Sequence, residues 1–432
     1  MQTCTDTIVQ SLSSVGCDKA FGVSGGSIYH IWKALHQSDI AVYHCRHESG
    51  AAFAAAEYSL QTGKVAALFA TSGPGITNSI TGLLCARSEG ARVVFIAALT
   101  GEENYLTGRR VAQETIPRDV EALKGPAINS ALSDLVIIRS HSGIAPLQQS
   151  LTRIQHDPLG GVLGVFLTPA KSHSLISPTQ RPRADERRPV PYLSTKTLFE
   201  VIGKLKTKSI VLWIGYGCRN ASLLVRKLAE RHGVHVLATP RAKDIFPETH
   251  PLYLGTTGFG ASISPETRQT RPKAALLLGS NAAEQSSFFI QQEWLYTDFY
   301  CVGLNLPEVK RNMPGHSTLI EAEISHFLRA VMDVDGFEDR TAYRYPPTPD
   351  ATIQAVPAAS NGMIHPVTVM SVIQDVVINL NECPIIADAG NSLFWIAYYL
   401  KFPKPGFLPH GSCCLRCSRH GPYGQTRTGH YR

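Results

Sequence analysis

Two short stretches carry most of the side chains able to do chemistry. Arg46-His-Glu-Ser-Gly-Ala-Ala52 sets a carboxylate, Glu48, at a strand-to-helix junction ahead of small apolar residues. In open α/β sheets such a group points into the crevice beyond the strand ends, where ligands bind. A carboxylate in the first helical turn is also favoured by the macrodipole with no ligand present, so both readings stand. Thr71-Ser-Gly-Pro-Gly-Ile-Thr-Asn78 is the second stretch. Its Gly-Pro-Gly reads either as a tight turn or as backbone that a ligand approaches closely. Further on, Asp388-Ala-Gly-Asn-Ser392 puts small polar residues and bare backbone after an expected strand. That suits phosphate oxygens, and it equally suits an ordinary Asn/Ser helix cap. Cys413, Cys414 and Cys417, flanked by His410 and His420, look like part of a zinc site without its second pair.

Alternating strands and helices must position these groups. Over the first ~170 residues, short apolar strands alternate with helical segments, the pattern of a parallel sheet covered by helices. Ile8, Leu12 and Val15 share a helical face that Gly16 ends. Phe21-Gly-Val is a strand, and Ser24-Gly25-Gly26-Ser27 turns into a helix bearing Ile28, Ile31 and Leu35. Strands are expected over 40–43, 64–70, 92–98 and 164–169, with helices over 50–60 and from Gly73-Pro-Gly75 onward. A second unit should carry a helix from Thr195, a strand over 209–214, Gly215-Tyr-Gly217, a helix over 221–231 and a strand over 234–238. Further strands are expected at 274–278 and 299–304. A third opens with a helix over 367–380 and a strand over 384–387. The domains are thus 1–175, 194–335 and 359–408, joined by Pro-rich linkers at 176–193 and 336–358 and followed by an irregular basic tail, 409–432. The fold class is α/β: three open, doubly wound, mainly parallel-sheet units.

Composition narrows the function classes. The 432 residues are 44% hydrophobic and 17% charged, which rules out extended low-complexity disorder. The net charge is +7, but residues 401–432 hold six basic and no acidic residues, so positions 1–400 are nearly neutral. No basic groove for nucleic acid is implied. No apolar run reaches the ~18–20 residues of a membrane span, and the start lacks a secretory pattern. The other seven cysteines are scattered singly among apolar stretches, as in a reducing compartment. A cytoplasmic, soluble protein is expected.

Arg46-His-Glu-x-x-Ala-x-x-Ala-Ala, Thr62-Gly-Lys64 and Thr71-Ser-Gly-Pro-Gly-x-x-Asn78 together resemble the pyrimidine-binding domain of thiamine-diphosphate enzymes, nearest to the acetolactate synthase group. Lys243-Asp-Ile-Phe-Pro-Glu-Thr-His-Pro251, Leu254-Gly255 and Pro307-Glu-Val-Lys-Arg-Asn312 resemble that family's central domain. Asp388 to Ser392, with Trp395, resembles the opening of its diphosphate-binding domain. The resemblance implies decarboxylation and carboligation of small 2-oxoacids by a homodimer or homotetramer, with thiamine diphosphate and Mg2+. It implies that Glu48 bonds the pyrimidine ring nitrogen as the acid–base group, and that Gln113 stands at the active-site mouth. It also implies that Ser24, Gly25, Gly26, Thr71, Pro74 and Asn78 line the cofactor site, while Gly390, Asn391 and Ser392 contact the diphosphate. FAD or ADP in the central domain rests on the family alone, since Gly215-Tyr-Gly217 is too common a turn to identify either.

Several residues depart from the family pattern. Ser24 stands where proline is usual, Ala112 replaces an aromatic before Gln113, and Asn129 stands where acetolactate synthases commonly have lysine. No Gly-Asp-Gly is present, so no metal ligand is assigned to this chain. The composition shift after residue 408 reads as a reading-frame change or misplaced splice, leaving the diphosphate-binding domain truncated. A non-catalytic remnant or pseudoenzyme is the alternative expectation.

Overall fold

The computed structural model describes residues 2–100, 117–125, 130–138, 144–167, 175–176, 193–263, 272–287, 297–336, 353–354, 362–381, 383, 385, 387 and 390–404. The chain divides into two compact units, one running to residue 188 and the other starting at residue 189. Among the described residues, no helix is long and apolar enough to cross a membrane.

In the first unit, β1 is Gln2–Thr3, β2 Lys19–Gly22, β3 Ala41–His44, β4 Ala66–Ala70 and β5 Arg92–Ala98. Then come β6 (Asp134–Ile138), β7 (Gly161–Leu167) and β8 (Leu175–Ile176). Six of these form a parallel sheet ordered β3-β2-β4-β5-β7-β6, while β1 and β8 pair antiparallel. Both faces of the sheet are covered, which is why β4 and β5 are apolar without alternation. Ala67 and Phe69 join one core with Ile8 and Leu12, and Ala66, Leu68 and Ala70 join the other with Ala51 and Ala55.

The helices begin and end where local chemistry says they should. Helix α1 (Cys4–Ser14) opens with a reciprocal cap between Thr3 and Asp6, an arrangement worth about 0.5–2 kcal/mol. Helix α2 (Tyr29–His36) follows one 3-10 turn at Gly26–Ile28. Helix α3 (Glu48–Thr62) stops at Gly63 in the left-handed conformation, φ +71°. Helix α4 (Pro74–Glu89) starts on a proline, whose missing N–H costs nothing at that position.

The second unit repeats the scheme. Its strands are β9 (Ile210–Ile214), β10 (Val236–Ala238), β11 (Tyr253–Thr256), β12 (Ala274–Leu278), β13 (Asp298–Gly303) and β14 (Thr318–Glu321). They pair in parallel in the order β11-β10-β9-β12-β13-β14. Helices Thr195–Lys206, Ser222–His232 and Ile324–Val334 close one face through Val201, Leu205, Val225, Phe327 and Val331.

Helix Pro366–Val372, which continues as π-helix Ile373–Leu380, belongs to this unit, as does helix Asn391–Tyr399. The expected single helix over 367–380 thus changes winding halfway, a feature apolar periodicity does not encode. Met370, Ile378, Ile396, Leu400 and Phe402 form its small core. Ile385 and Ala387, from the segment expected as a strand, are not in one; the rest of 384–387 lies outside the described residues.

Candidate active site

The strand order of the first sheet defines a crevice. From β2 the chain passes to β3 on one side, whereas from β4 it passes to β5 on the other. The carboxyl ends of β2 and β4 therefore flank a topological switch point, the usual ligand position in open α/β sheets. Ser24, Gly25 and Gly26 follow β2, and Thr71 and Pro74 follow β4, so the sequence-predicted loops lie on its two sides.

These two loops interlock. A Cβ at Gly25 would fall 2.3 Å from Thr71 Cγ2, and one at Gly75 would fall 2.7 Å from Thr71 Oγ1. The Ser72 amide donates to Ser27 Oγ at 3.2 Å. Gly73 takes φ +64°, which the chain needs to swing from β4 into α4. Ser24, Gly26 and Pro74 are exposed, and a Cβ at Gly26 would meet no atom of the described residues within 4 Å. Glycine is thus demanded by chain packing at 25 and 75, while at 26 no described residue packs against the backbone.

Glu48 is the first residue of α3, behind His47, whose Nδ1 accepts from the Ser49 amide at 3.2 Å. Its carboxylate is half-buried, and Asn78 Nδ2 donates to Oε2 at 3.1 Å. Among the described residues no donor reaches Oε1. The structure thus joins Glu48 to Asn78 and the 24–26 loop to Thr71, all at the carboxyl end of one sheet. Gln113, Ala112 and Asn129 lie outside the described residues.

Gly390, Asn391 and Ser392 sit in the second unit, all exposed, at the start of helix Asn391–Tyr399. No side chain caps this N-terminus, and a Cβ at Gly390 would meet nothing within 4 Å. Packing among the described residues does not explain that glycine. Asp388 and the Cys413–Cys417 cluster lie outside the described residues.

Four arrangements are not legible in the sequence. The Glu48–Asn78 hydrogen bond links residues from separate motifs. In the second sheet the Gly215 and Gly217 turn is explained by contact with Gly279: Gly217 N donates to its carbonyl at 2.8 Å. The guanidinium groups of Arg219 and Arg241 lie 4.5 and 4.2 Å from the Tyr216 ring centre. Finally, the Lys243–Pro251 motif fills the stretch between β10 and β11, where Lys243 pairs with Glu248 in the interior.

Comparison with known proteins shows what the chain is similar to. Residues 2–123 match the family model "Thiamine pyrophosphate enzyme, N-terminal TPP binding domain", and residues 199–330 match "Thiamine pyrophosphate enzyme, central domain". Together they span more than half of the chain. A relative from Methanococcus aeolicus, described as "Probable acetolactate synthase large subunit", is 24% identical over 94% of this chain and 70% of its own length. The acetolactate synthase large subunit of Corynebacterium glutamicum is 28% identical over 63% of this chain. The match spans only 43% of that protein's length. Among solved structures, a thiamine diphosphate-dependent 4-hydroxybenzoylformate decarboxylase from Rhodococcus jostii RHA1 superposes with a TM-score of 0.70 at 16% identity. The superposition covers 95% of this chain and 76% of that one.

Proposed function

The chain belongs to the thiamine pyrophosphate enzyme family, in its acetolactate synthase-like group, and from that premise we propose that it serves the decarboxylation and carboligation of small 2-oxoacids. The observation that carries this reading is Glu48, held by Asn78 through one oxygen and open at the other, at the carboxyl end of a parallel sheet. The residues fit the pyrimidine half of thiamine diphosphate: an acceptor carboxylate, and beside the switch point a stretch of bare backbone at Gly26. When bound, that group supplies the electron sink for loss of carbon dioxide from a 2-oxoacid.

The share of this chain's own residues is positional and acid–base. Glu48 Oε1 would hold the pyrimidine ring nitrogen of the cofactor by a shared proton, as the acid–base group. The 24–26 loop and Thr71 form the walls, Pro74 fixes the entry to α4, and Asn78 holds the carboxylate. By the family resemblance alone, Gln113, which lies outside the described residues, would belong at the mouth. By the family resemblance, Gly390, Asn391 and Ser392 would offer backbone and short polar side chains to a diphosphate, for which Mg2+ would be the counter-ion. A homodimer or homotetramer, in the cytoplasm, is the assembly this reading carries.

The test is exchange of the thiazolium C2 proton of added thiamine diphosphate, with magnesium present. Glu48→Gln should slow it by roughly 10²–10⁴, the worth of a positioned acid–base group. Exchange unchanged by the substitution overturns the role of Glu48. If the unsubstituted chain promotes no exchange, the non-catalytic alternative is favoured.

A further inference from the structure

We infer that Asn78 is a positioning residue acting through Glu48, and that the contact of Ala52 with Gly82 sets the span between them. The inference rests on the reading above, in which Glu48 is the acid–base carboxylate.

The geometry is a ruler built from two helices. Glu48 and Ala52 are four residues apart on α3, and Asn78 and Gly82 are four apart on α4, so each pair shares one helical face. A Cβ at Gly82 would fall 2.4 Å from Ala52 Cβ and 3.1 Å from the Phe53 amide nitrogen. The helices therefore touch with bare backbone against a methyl group, nearer than any larger pair would allow. One turn toward both N-termini, that spacing leaves 3.1 Å between Asn78 Nδ2 and Glu48 Oε2. Gly82 costs α4 about 1 kcal/mol relative to alanine, and close approach is what it gives in return.

Chemistry fixes which end of the amide faces the acid. An ionised carboxylate only accepts, so the NH2 group of Asn78 must point at it. The last torsion of a glutamate is broad, so an untethered carboxylate does not hold its plane in one direction toward the crevice. The bond from Asn78 fixes that plane and leaves the second oxygen, Oε1, as the acceptor.

The experiment has two arms on the full chain. In the first, without cofactor, the side-chain amide resonances of Asn78 are followed by 15N NMR. Glu48→Gln and Gly82→Ala should both move them, while Thr77→Ala, on the exposed side of the same turn, should not. Resonances indifferent to Glu48→Gln overturn the inference. In the second arm, C2-proton exchange is measured for Asn78→Ala, Glu48→Gln and their combination. Asn78→Ala should slow exchange about 10–100-fold, the scale of a misplaced catalytic group, and should add nothing in the Glu48→Gln background. Independent, multiplying effects overturn the positioning role while leaving Glu48 in place. If Glu48→Gln itself changes nothing, the functional reading fails and the amide resonances alone decide the pairing. Thermal unfolding of each variant guards against loss of fold. Should Gly82→Ala unfold, Asn78→Ala and Glu48→Gln still give both answers.

Discussion

Lys243 Nζ lies 2.5 Å from Glu248 Oε2, and the two side chains are 1% and 0% exposed. Burial pushes the lysine down to about 8 against the pull of Glu248, and burial likewise raises the Glu248 carboxyl. The Glu248 amide donates to the Phe402 carbonyl at 2.9 Å, and the Lys243 ammonium lies 5.7 Å from the Phe402 ring centre. This charged pair therefore sits where the Leu400–Phe402 stretch meets the turn after β10. Removing one partner strands a charge in the interior, whereas replacing both removes the desolvation penalty as well. Glu248→Gln should cost about 3–5 kcal/mol in urea unfolding of the second unit, and the double change Lys243→Met with Glu248→Leu should be near neutral. Equal losses for the single and double variants would refute this account.

Acid should weaken the second unit through Asp335. Its buried carboxylate ends helix Ile324–Val334 and lies 2.9 Å from Lys206 Nζ, 3.2 Å from His232 Nε2 and 3.5 Å from Arg231 Nε. Burial alone would raise this carboxyl, but Lys206, His232 and Arg231 outweigh it and hold it below its ordinary value. Burial lowers His232, and the neighbouring Arg231 and Lys206 work in the same direction against Asp335. In both cases the unfolded chain binds more protons than the folded one, so stability rises with pH across each window. His232 withdraws support as pH falls from its ordinary value to its lowered one. Asp335 does so from its ordinary carboxyl value downward. Asp335→Asn should lower stability at neutral pH and flatten the acid limb of unfolding free energy against pH. An unchanged slope below pH 4 would remove Asp335 from the acid response.

The parts of this fold legible in sequence are those where burial leaves a pattern. Strands Arg92–Ala98 and Ala274–Leu278 are wrapped on both faces, so they read as unbroken apolar runs with clear ends. Asp134–Ile138 carries four consecutive apolar residues, a run that fits the edge strand it forms. The glycines of the crevice were visible, but not their reasons, because Gly25 and Gly75 are dictated by Thr71 across a loop gap. The hydrogen bond between Glu48 and Asn78 joins residues thirty apart in sequence, and periodicity carries no such term. Its one available sign was Gly82, a glycine kept inside a helix where alanine would be better.

Arg87 ties down the approach to β6. Its guanidinium donates to the carbonyls of Gly125 at 2.7 Å and Ser130 at 3.1 Å, and also to that of Leu132. Lysine cannot replace this fork, since its ammonium is a point charge without the planar spread of donors. Arg87→Lys and Arg87→Met should therefore both raise amide hydrogen exchange at Leu123, Leu132 and Ser133, with exchange across β4 unaffected. Full protection retained in the lysine variant would show that charge alone suffices.

Gly25 and Thr71 supply the most direct test of the crevice geometry. An added methyl at Gly25 would overlap Thr71 Cγ2 at 2.3 Å, which neither loop can absorb without moving. Gly25 has φ −178°, an extended conformation open to any residue, so backbone strain contributes nothing and the penalty is steric. Gly25→Ala should thus cost about 1–3 kcal/mol, the range for overpacking a close contact. Thr71→Ser removes Cγ2 and keeps the hydroxyl that faces Gly75, so it should cost little alone. Combined, Gly25→Ala with Thr71→Ser should recover most of the loss, giving a favourable coupling in a double-mutant cycle of thermal unfolding. Additive costs would mean that the loops part rather than clash, and that the two sides of the crevice are not held in contact by these residues.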